Sequence, residues 1–320
     1  MDQSIAKHAL ANKNQLSMLG RLKKNIVRDW ELLILCIPML AFYIIFHYGP
    51  MYGAIIAFKN FSPLDGIMGS PWAGLRHFQE VFNNPFFPRL VRNTFLLGLY
   101  SLLWGFPIPI IFALLINEVR NKYFKRVAQT LSYLPFFIST VIVAGLMWTF
   151  LSPTFGVVNA MYTAITGNNP INFMTSARWF RTLFIGSLIW QTFGWNSIIY
   201  IAALAGVDVE LYDSAKVDGA NRIQQLIYIT FPGILPTIFI LLILSIGGIM
   251  SVGFERVILL YTPSTYIVAD ILQTYAYRTG ILEGRFSRGA AVGLFNSVIN
   301  VSFLICANTL IRKYSNISLW

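Results

Sequence analysis

Charge is the scarcest commodity in this chain. Only 12% of its 320 residues are Asp, Glu, Lys or Arg, about half the share carried by an ordinary soluble domain. Against that stand 56% hydrophobic residues and a mean hydropathy of +0.62. A soluble fold of this length cannot use so much apolar side chain, so the composition points to an integral membrane protein. Acids are scarcer than bases, 13 against 24. The resulting charge of +11 does not read as nucleic-acid binding, because the bases are spread over loops between apolar runs. Basic loops facing anionic headgroups account for it. The two cysteines, Cys36 and Cys306, each lie inside an apolar run and far apart. Buried free thiols are expected rather than a disulfide, and no CxxC or Cys/His spacing suggests a metal. There is no GxxxxGK[ST] loop, so the chain cannot cradle nucleotide phosphates alone. Internal repeats, low-complexity runs and soluble-domain boundaries are also lacking.

What the chain has is long apolar runs. A spanning helix needs roughly 20 mainly apolar residues. Six runs qualify, at about Leu32–Phe58, Arg92–Ile116, Leu131–Leu151, Leu183–Leu204, Ile234–Val252 and Gly289–Ile311. The expected fold is all-α and integral to the membrane, with six spans. His47, Gly49 and Pro50 interrupt the first run, which predicts a kink or an early end. Pro107 and Pro109 predict a kink in the second, since neighbouring groups can re-satisfy the freed carbonyls. Residues 1–30 are polar and basic (Lys7, Lys13, Arg21, Lys23, Lys24, Arg28). The run that follows is too long for a signal-peptide core and no small-residue cleavage site closes it, so an uncleaved cytoplasmic tail is expected. With the N-terminus inside, the inner segments hold 14 of the 24 Lys and Arg. The dense tail and the turn NEVRNKYFKR are among them, and such short segments weigh most. The expected organisation is a tail (1–30), a membrane domain (31–311) and a C-terminal tail (312–320), with both termini cytoplasmic. The outer segments run to roughly 30 residues, long enough to be folded or functional. In the last of them, Ile267 to Tyr277 could form a short helix.

Between the fourth and fifth runs lies a polar island, Asp213 to Pro232, within a loop at 206–232 that this orientation makes cytoplasmic. Asp208 is placed to cap a short helix, with Glu210 in the first turn, where the helix dipole favours acids. Leu211 and Ala215 share one face beside Ser214. Asp218-Gly219 stops the helix, because glycine tolerates the left-handed conformation of a tight C-terminal turn. A second helix restarts near Asn221, and Pro232 and Pro236 bracket the start of the next span. Helix, hinge and helix would then lie against the membrane face. An ordinary interfacial loop would have the same spacing.

This loop resembles the EAA motif of ATP-binding-cassette importer permeases, E-A-A-x-x-x-G-x(9)-I-x-L-P. Here it reads Asp213-Ser214-Ala215, Gly219, Ile229, Phe231 and Pro232, and the frequent Asp-Gly-Ala is present as Asp218-Gly219-Ala220. Asp for Glu, Ser for Ala and Phe for Leu are departures conservative in charge or size. The stretches YGPMYGAIIAFKNF, PWAGLRHFQEVF, RNTFLLGLYSLL and RKYSNISLW are similar to a subgroup of the maltose-type superfamily, permeases of oligosaccharide and polysaccharide importers such as the alginate type. The resemblance implies a type I importer permease in a bacterial cytoplasmic membrane, with no enzymatic activity and no cofactor of its own. ATP and Mg would be bound by a partner ATPase dimer seated on the EAA loop. A second, distinct permease, an extracytoplasmic solute-binding protein and a carbohydrate substrate complete the implied set of partners.

A sugar path would need aromatic rings for pyranose faces and amides for hydroxyls. Trp148, Trp190, Gln191, Trp195, Asn196, Asn296 and Asn300 are the candidates. Each has another reading, since Trp belts membrane interfaces and Asn or Gln glue helices together. The rival functions are an ion-coupled transporter or channel and a membrane enzyme. The first would call for buried charges or paired broken helices. The spans offer little of either beyond His47, which reads more simply as a headgroup-level or packing residue. The second would need a carboxylate cluster at a membrane face, and Glu210, Asp213 and Asp218 already belong to the docking-like loop.

Overall fold

The structure, a computed structural model, describes residues 27–315 and 318–319, apart from the side chain of Tyr314. The basic residues Lys7, Lys13, Arg21, Lys23 and Lys24, and most of the expected N-terminal tail, lie outside the described residues, as do 316, 317 and 320 at the other end. Among the described residues, those up to Ile55 belong to one unit and those from Ile56 onward to a second; each is described by itself. The described residues form helices and no strand beyond an isolated bridge, Lys59 to Trp72.

Helix α1 (Trp30–Phe58) stays helical through the interruption expected to kink or end it. It loosens to a π-turn over Ile44–Tyr48 and tightens to a 3-10 helix over Tyr52–Phe58. Such changes of winding let a helix pass Gly49-Pro50 without a free end. His47 packs against Phe42 and Tyr43, at 5.6 and 5.1 Å between ring centroids.

In the second unit, α2 (Arg76–Phe82) precedes the long α3 (Phe87–Glu118), whose α-helical winding is interrupted by a turn at Phe106, just before Pro107, where a kink is expected from the sequence. Next come α4 (Lys122–Phe137), α5 (Thr140–Phe150) and α6 (Val157–Thr166). Then follow α7 (Ala177–Ala205), α8 (Val209–Val217) and α9 (Arg222–Gly247). Three short helices, α10 (Phe254–Leu260), α11 (Tyr266–Ala269) and α12 (Leu272–Tyr277), lead to α13 (Phe286–Ser315).

Five described helices are long and apolar enough to cross a membrane, and six if α4 and α5 count together. The third run is therefore not the straight span expected at Leu131–Leu151. It bends by 96° between α4 and α5. The cause is local. Pro135 sits in a 3-10 turn, Ile138 and Ser139 are extended, and Ser139 caps the new helix by accepting from Ile142 N–H at 3.4 Å. Starting α4, Asn121 accepts from the N–H groups of Tyr123 and Phe124 at 2.9 and 3.1 Å.

Three apolar clusters hold the second unit together. Leu97, Ala144, Phe184 and Val257 join α3, α5, α7 and α10. Val81, Leu90, Leu272 and Val292 join α2, α3, α12 and α13. Ile110, Tyr200, Leu204 and Ile234 join α3, α7 and α9. Full burial of such a side chain is worth about 1.5–3 kcal/mol against water, although in lipid close packing supplies more of the gain than water release does. At Gly194 a Cβ would stand 2.0 Å from the carbonyl oxygen of Ser132, so α7 and α4 touch backbone to backbone. Cys36 and Cys306 are free, as expected, but exposed rather than buried. Both sit on outward faces of helices whose apolar surface suits lipid or a neighbouring chain.

Candidate functional site: a capped polar loop and a helix-lined cavity

The polar island folds through its own caps. Asp208 accepts from Glu210 N–H at 2.9 Å and starts α8. The helix ends in a double turn. Ala220 N–H reaches Ala215 C=O at 2.8 Å and Gly219 N–H reaches Lys216 C=O at 3.1 Å, with Gly219 at φ +78°. This pairing satisfies the last carbonyls, and only glycine adopts that φ without strain. Asn221 and Gln224 then form a reciprocal capping box at 2.9 and 2.7 Å that starts α9.

The second helix does not lie separately against the membrane face. It runs on as α9 through Pro232 to Gly247. A π-turn over Leu226–Thr230 takes up the register that Pro232, lacking an N–H, cannot keep. The hinge therefore lies only at Asp218–Ala220. Tyr212 on α8 meets the buried Thr230 on α9, hydroxyl to hydroxyl, at 3.0 Å. Gln225 Nε2 donates to Ala220 C=O at 2.9 Å. These two contacts tie α8 and the hinge to the base of a long helix.

No residue of α8 is buried. Val209, Leu211 and Val217 stand exposed, Val217 by 89%, as do Ile223 and Tyr228 at the start of α9. Asp213 pairs with Lys216 at 2.8 Å on the surface, a contact worth well under about 1 kcal/mol. Ser214 is exposed, Ala215 and Ile229 are half-buried, and Asp218 and Pro232 are exposed.

A cavity of about 880 Å³ opens between α3, α7 and α9. Its wall on α7 is the stripe Phe184, Leu188, Thr192, Trp195 and Ile199, at helical spacing. Ser101 on α3, and Ser245 and Ser251 at and beyond the end of α9, add hydroxyls. Trp195 lies flat on Phe136 at 4.4 Å and edge-on to Phe137, which ties the cavity wall to the bend between α4 and α5. Among the path candidates, Trp195 and Asn196 line this cavity. The others are placed elsewhere. Trp148 borders a smaller cavity of about 370 Å³ and donates to Leu259 C=O at 3.2 Å. Gln191 is buried, giving a hydrogen bond to Ile138 C=O at 2.5 Å and accepting one from the buried Arg256. Asn300 accepts from Met250 N–H at 3.0 Å and donates to Ser251 Oγ at 2.9 Å, holding the chain where α9 ends. Asn296 is buried with its Oδ1 unpartnered, and Trp190 is half exposed. Sequence reasoning missed Thr192 and the three serines. The 3–4 spacing around Trp195 could have found Thr192, whereas the serines show no such signal because small hydroxyls recur throughout these helices.

The proteins that this chain is similar to make it a transport permease rather than an enzyme. The chain belongs to the family of binding-protein-dependent transport system inner membrane components, which matches residues 105–316. It is 44% identical over 287 residues, 90% of each chain, to Protein LplB of Bacillus subtilis (strain 168). Identity is 41% over 294 residues to the same organism's polygalacturonan/rhamnogalacturonan transport system permease protein YteP, covering 92% of this chain and 91% of the other. A chain in the crystal structure of a bacterial ABC transporter involved in the import of the acidic polysaccharide alginate superposes with a TM-score of 0.84 at 45% identity, covering 92% of this chain and 99% of that one.

Proposed function

We propose that the chain is one membrane-spanning half of an ATP-driven importer of oligosaccharides or polysaccharides. In this reading it spans the bacterial cytoplasmic membrane six times, α4 and α5 together counting as the third span, with both ends in the cytoplasm. The boundaries are those expected from the sequence: tail to residue 30, membrane domain 31–311 with the coupling loop at 206–232, and a short C-terminal tail. A partner ATPase dimer binds ATP and Mg, and this chain holds no cofactor. A second, distinct permease completes the path, and a solute-binding protein delivers substrate at the outer face.

The observation that carries the reading is α8. It presents Val209, Leu211 and Val217 to solvent, keeps its backbone satisfied by local caps, and is bonded to α9 through Tyr212 and Thr230. A helix built for its own chain would bury those side chains. Docking of an ATPase on α8 uses Asp213, Ser214 and Ala215 on the helix. Asp218, Gly219 and Ala220 act as the hinge, and Ile229 and Pro232 fix the start of α9. Closure of the ATPases then moves α8, and α9 forms one wall of the cavity. The carbohydrate class is supported by YteP and by the alginate transporter, and Trp195 beside Asn196 offers a ring for a pyranose face and an amide for hydroxyls. The test is uptake of labelled oligosaccharide by vesicles holding both permeases and the binding protein, with and without the ATPase subunit. Uptake only with the ATPase and ATP is expected; uptake persisting without it overturns the reading.

A further inference from the structure

We propose that the smaller cavity, beyond the end of α5, is a second saccharide subsite that takes one end of the sugar chain on the ring of Trp148. The inference rests on the saccharide-import reading and adds to it a place outside the larger cavity. Trp148, near the end of α5, and Phe155 in the loop that follows supply the rings of its lining. Asn172 and Thr175, just before α7, line it from the other side of α6 in the chain. Thr175 stands at the start of α7, and α8 follows the other end of that helix, so this cavity and the polar loop are at opposite ends of α7. One apolar cluster backs both cavities. Its Met174 lines the smaller, and its Phe184 and Val252 line the larger.

The walls are held by bonds within the chain. Asn159 is buried, and its Nδ2 donates to the carbonyls of Leu151, Ser152 and Ile171 at 2.9, 3.1 and 2.9 Å, while its Oδ1 accepts from Ile171 N–H at 2.8 Å. Ser264 Oγ donates to Thr175 C=O at 2.9 Å. The indole N–H of Trp148 is given to Leu259 C=O, which pins one edge of the ring. A tryptophan that only marked the membrane interface would give that N–H to headgroups or water. What these walls leave open is specific. Trp195 in the larger cavity has one face covered by Phe136, whereas Trp148 touches no other ring among the described residues. The Asn172 amide and the Thr175 hydroxyl make no hydrogen bond among them either. The lining holds no charged residue, so it offers no counter-charge to a lipid phosphate or an acidic side chain. A ring with uncovered faces beside a free amide and a free hydroxyl suits the C–H face and the hydroxyls of a pyranose. The volume of about 370 Å³ is at the low end for small-ligand sites, about 300–1,000 Å³, and fits one end of a saccharide rather than its whole length.

The test uses the assembled transporter (both permeases, ATPases and binding protein) in proteoliposomes, with trigalacturonate, trimannuronate and xylotriose as probes. Uptake of each trimer that the wild type imports is read at saturating loaded binding protein. Trp148→Ala should slow it about tenfold, as loss of a stacking ring predicts. Asn172→Ala should slow it about fivefold, as loss of one hydrogen bond predicts, and removes no bond within the fold. Trp148→Phe keeps a ring and should keep at least about half of the rate. A trimer with a photo-reactive group at one end should label residues 148–175. Unchanged uptake in Asn172→Ala, equal loss in the Phe and Ala variants of Trp148, or labelling confined to α3, α7 and α9 overturns the subsite. A raised half-saturating concentration of binding protein at unchanged maximal uptake assigns the cavity to docking of that protein and overturns the subsite as well. In each of these outcomes saccharide import itself stands. No ATP-dependent uptake of any probe by the wild type overturns the saccharide reading and the subsite with it.

Discussion

Two polar stretches interrupt the apolar runs on either side of α9, and only the later one buries polar groups of its own. The segment after α9, residues 253–288, buries a polar network of its own, although Glu255, Glu283 and Arg285 and the apolar Ile267, Ile281 and Leu282 stand exposed. Asp270 is 2% exposed and pairs with Arg278 at 2.9 Å, while Thr274 Oγ1 donates to the same carboxylate at 2.8 Å. Asn93 on α3 donates to the carbonyls of Ile267 and Asp270, both at 3.1 Å, and Thr94 Oγ1 accepts from Leu272 N–H at 3.0 Å. The segment before α9 buries no such network. Its polar groups cap its own helix ends, and its apolar side chains face out. Buried polar groups must be satisfied within the chain, so the later segment is a structural latch. Exposed apolar groups held on a capped helix are what a docking surface would present, which is the role proposed for the earlier segment.

Substitutions can break this contrast, and the largest effect is expected at the hinge. Gly219→Pro demands φ near −65° where the chain holds +78°, and removes the N–H given to Lys216. The variant should insert normally, since the change lies outside the apolar runs, but lose more than about tenfold of ATP-coupled uptake, a loss of about 1.4 kcal/mol or more in coupling. ATPase activity would continue without transport, and paired uptake and phosphate-release assays check this. Next comes the latch. Asp270→Ala leaves Arg278 without its carboxylate in a mostly buried site and should cost about 2–3 kcal/mol, read as a lowered thermal midpoint in detergent, with little change in ATPase docking. Tyr212→Phe removes one hydroxyl pair with Thr230 and should cost about 1 kcal/mol. Its sharper signature would be a partial loss of coupling at unchanged ATPase binding.

The smallest effect is one of pH. The Arg288 guanidinium hydrogen-bonded to Glu80 at 2.8 Å holds that carboxyl below its usual range. A depressed folded value means the stabilisation is whole above the unfolded carboxylate range and is lost as pH falls through the folded one. Because Glu80 is partly exposed, this contributes under about 1 kcal/mol. Glu80→Gln should flatten that part of the acid limb in a pH series of melting curves.

Much of this was legible in the sequence because it was local. Asp208, Gly219 and Asn221 announce caps and a left-handed turn by residue type and spacing alone, and all three form as expected. Runs of apolar residues mark most of the long helices for the same reason. The bend at Ile138–Ser139 was hidden because an apolar run has the same composition straight or folded; only Pro135 and the capping Ser139 hint at it. The run-on of α9 through Pro232 was hidden because a preceding π-turn absorbs the missing hydrogen bond. The latch at Asp270 and the cavity depend on contacts between residues far apart in the chain, such as Asn93 with Asp270, and periodicity does not carry these.

The docking role of α8 is the central claim, and contact is its most direct measure. A photo-reactive amino acid placed at Leu211, exposed and outside the cap hydrogen bonds, should cross-link to the ATPase subunit in the assembled transporter, and more strongly when ATP is trapped. A cross-link confined to lipid or to the binding protein, or none to the ATPase in a complex active for uptake, would contradict the account.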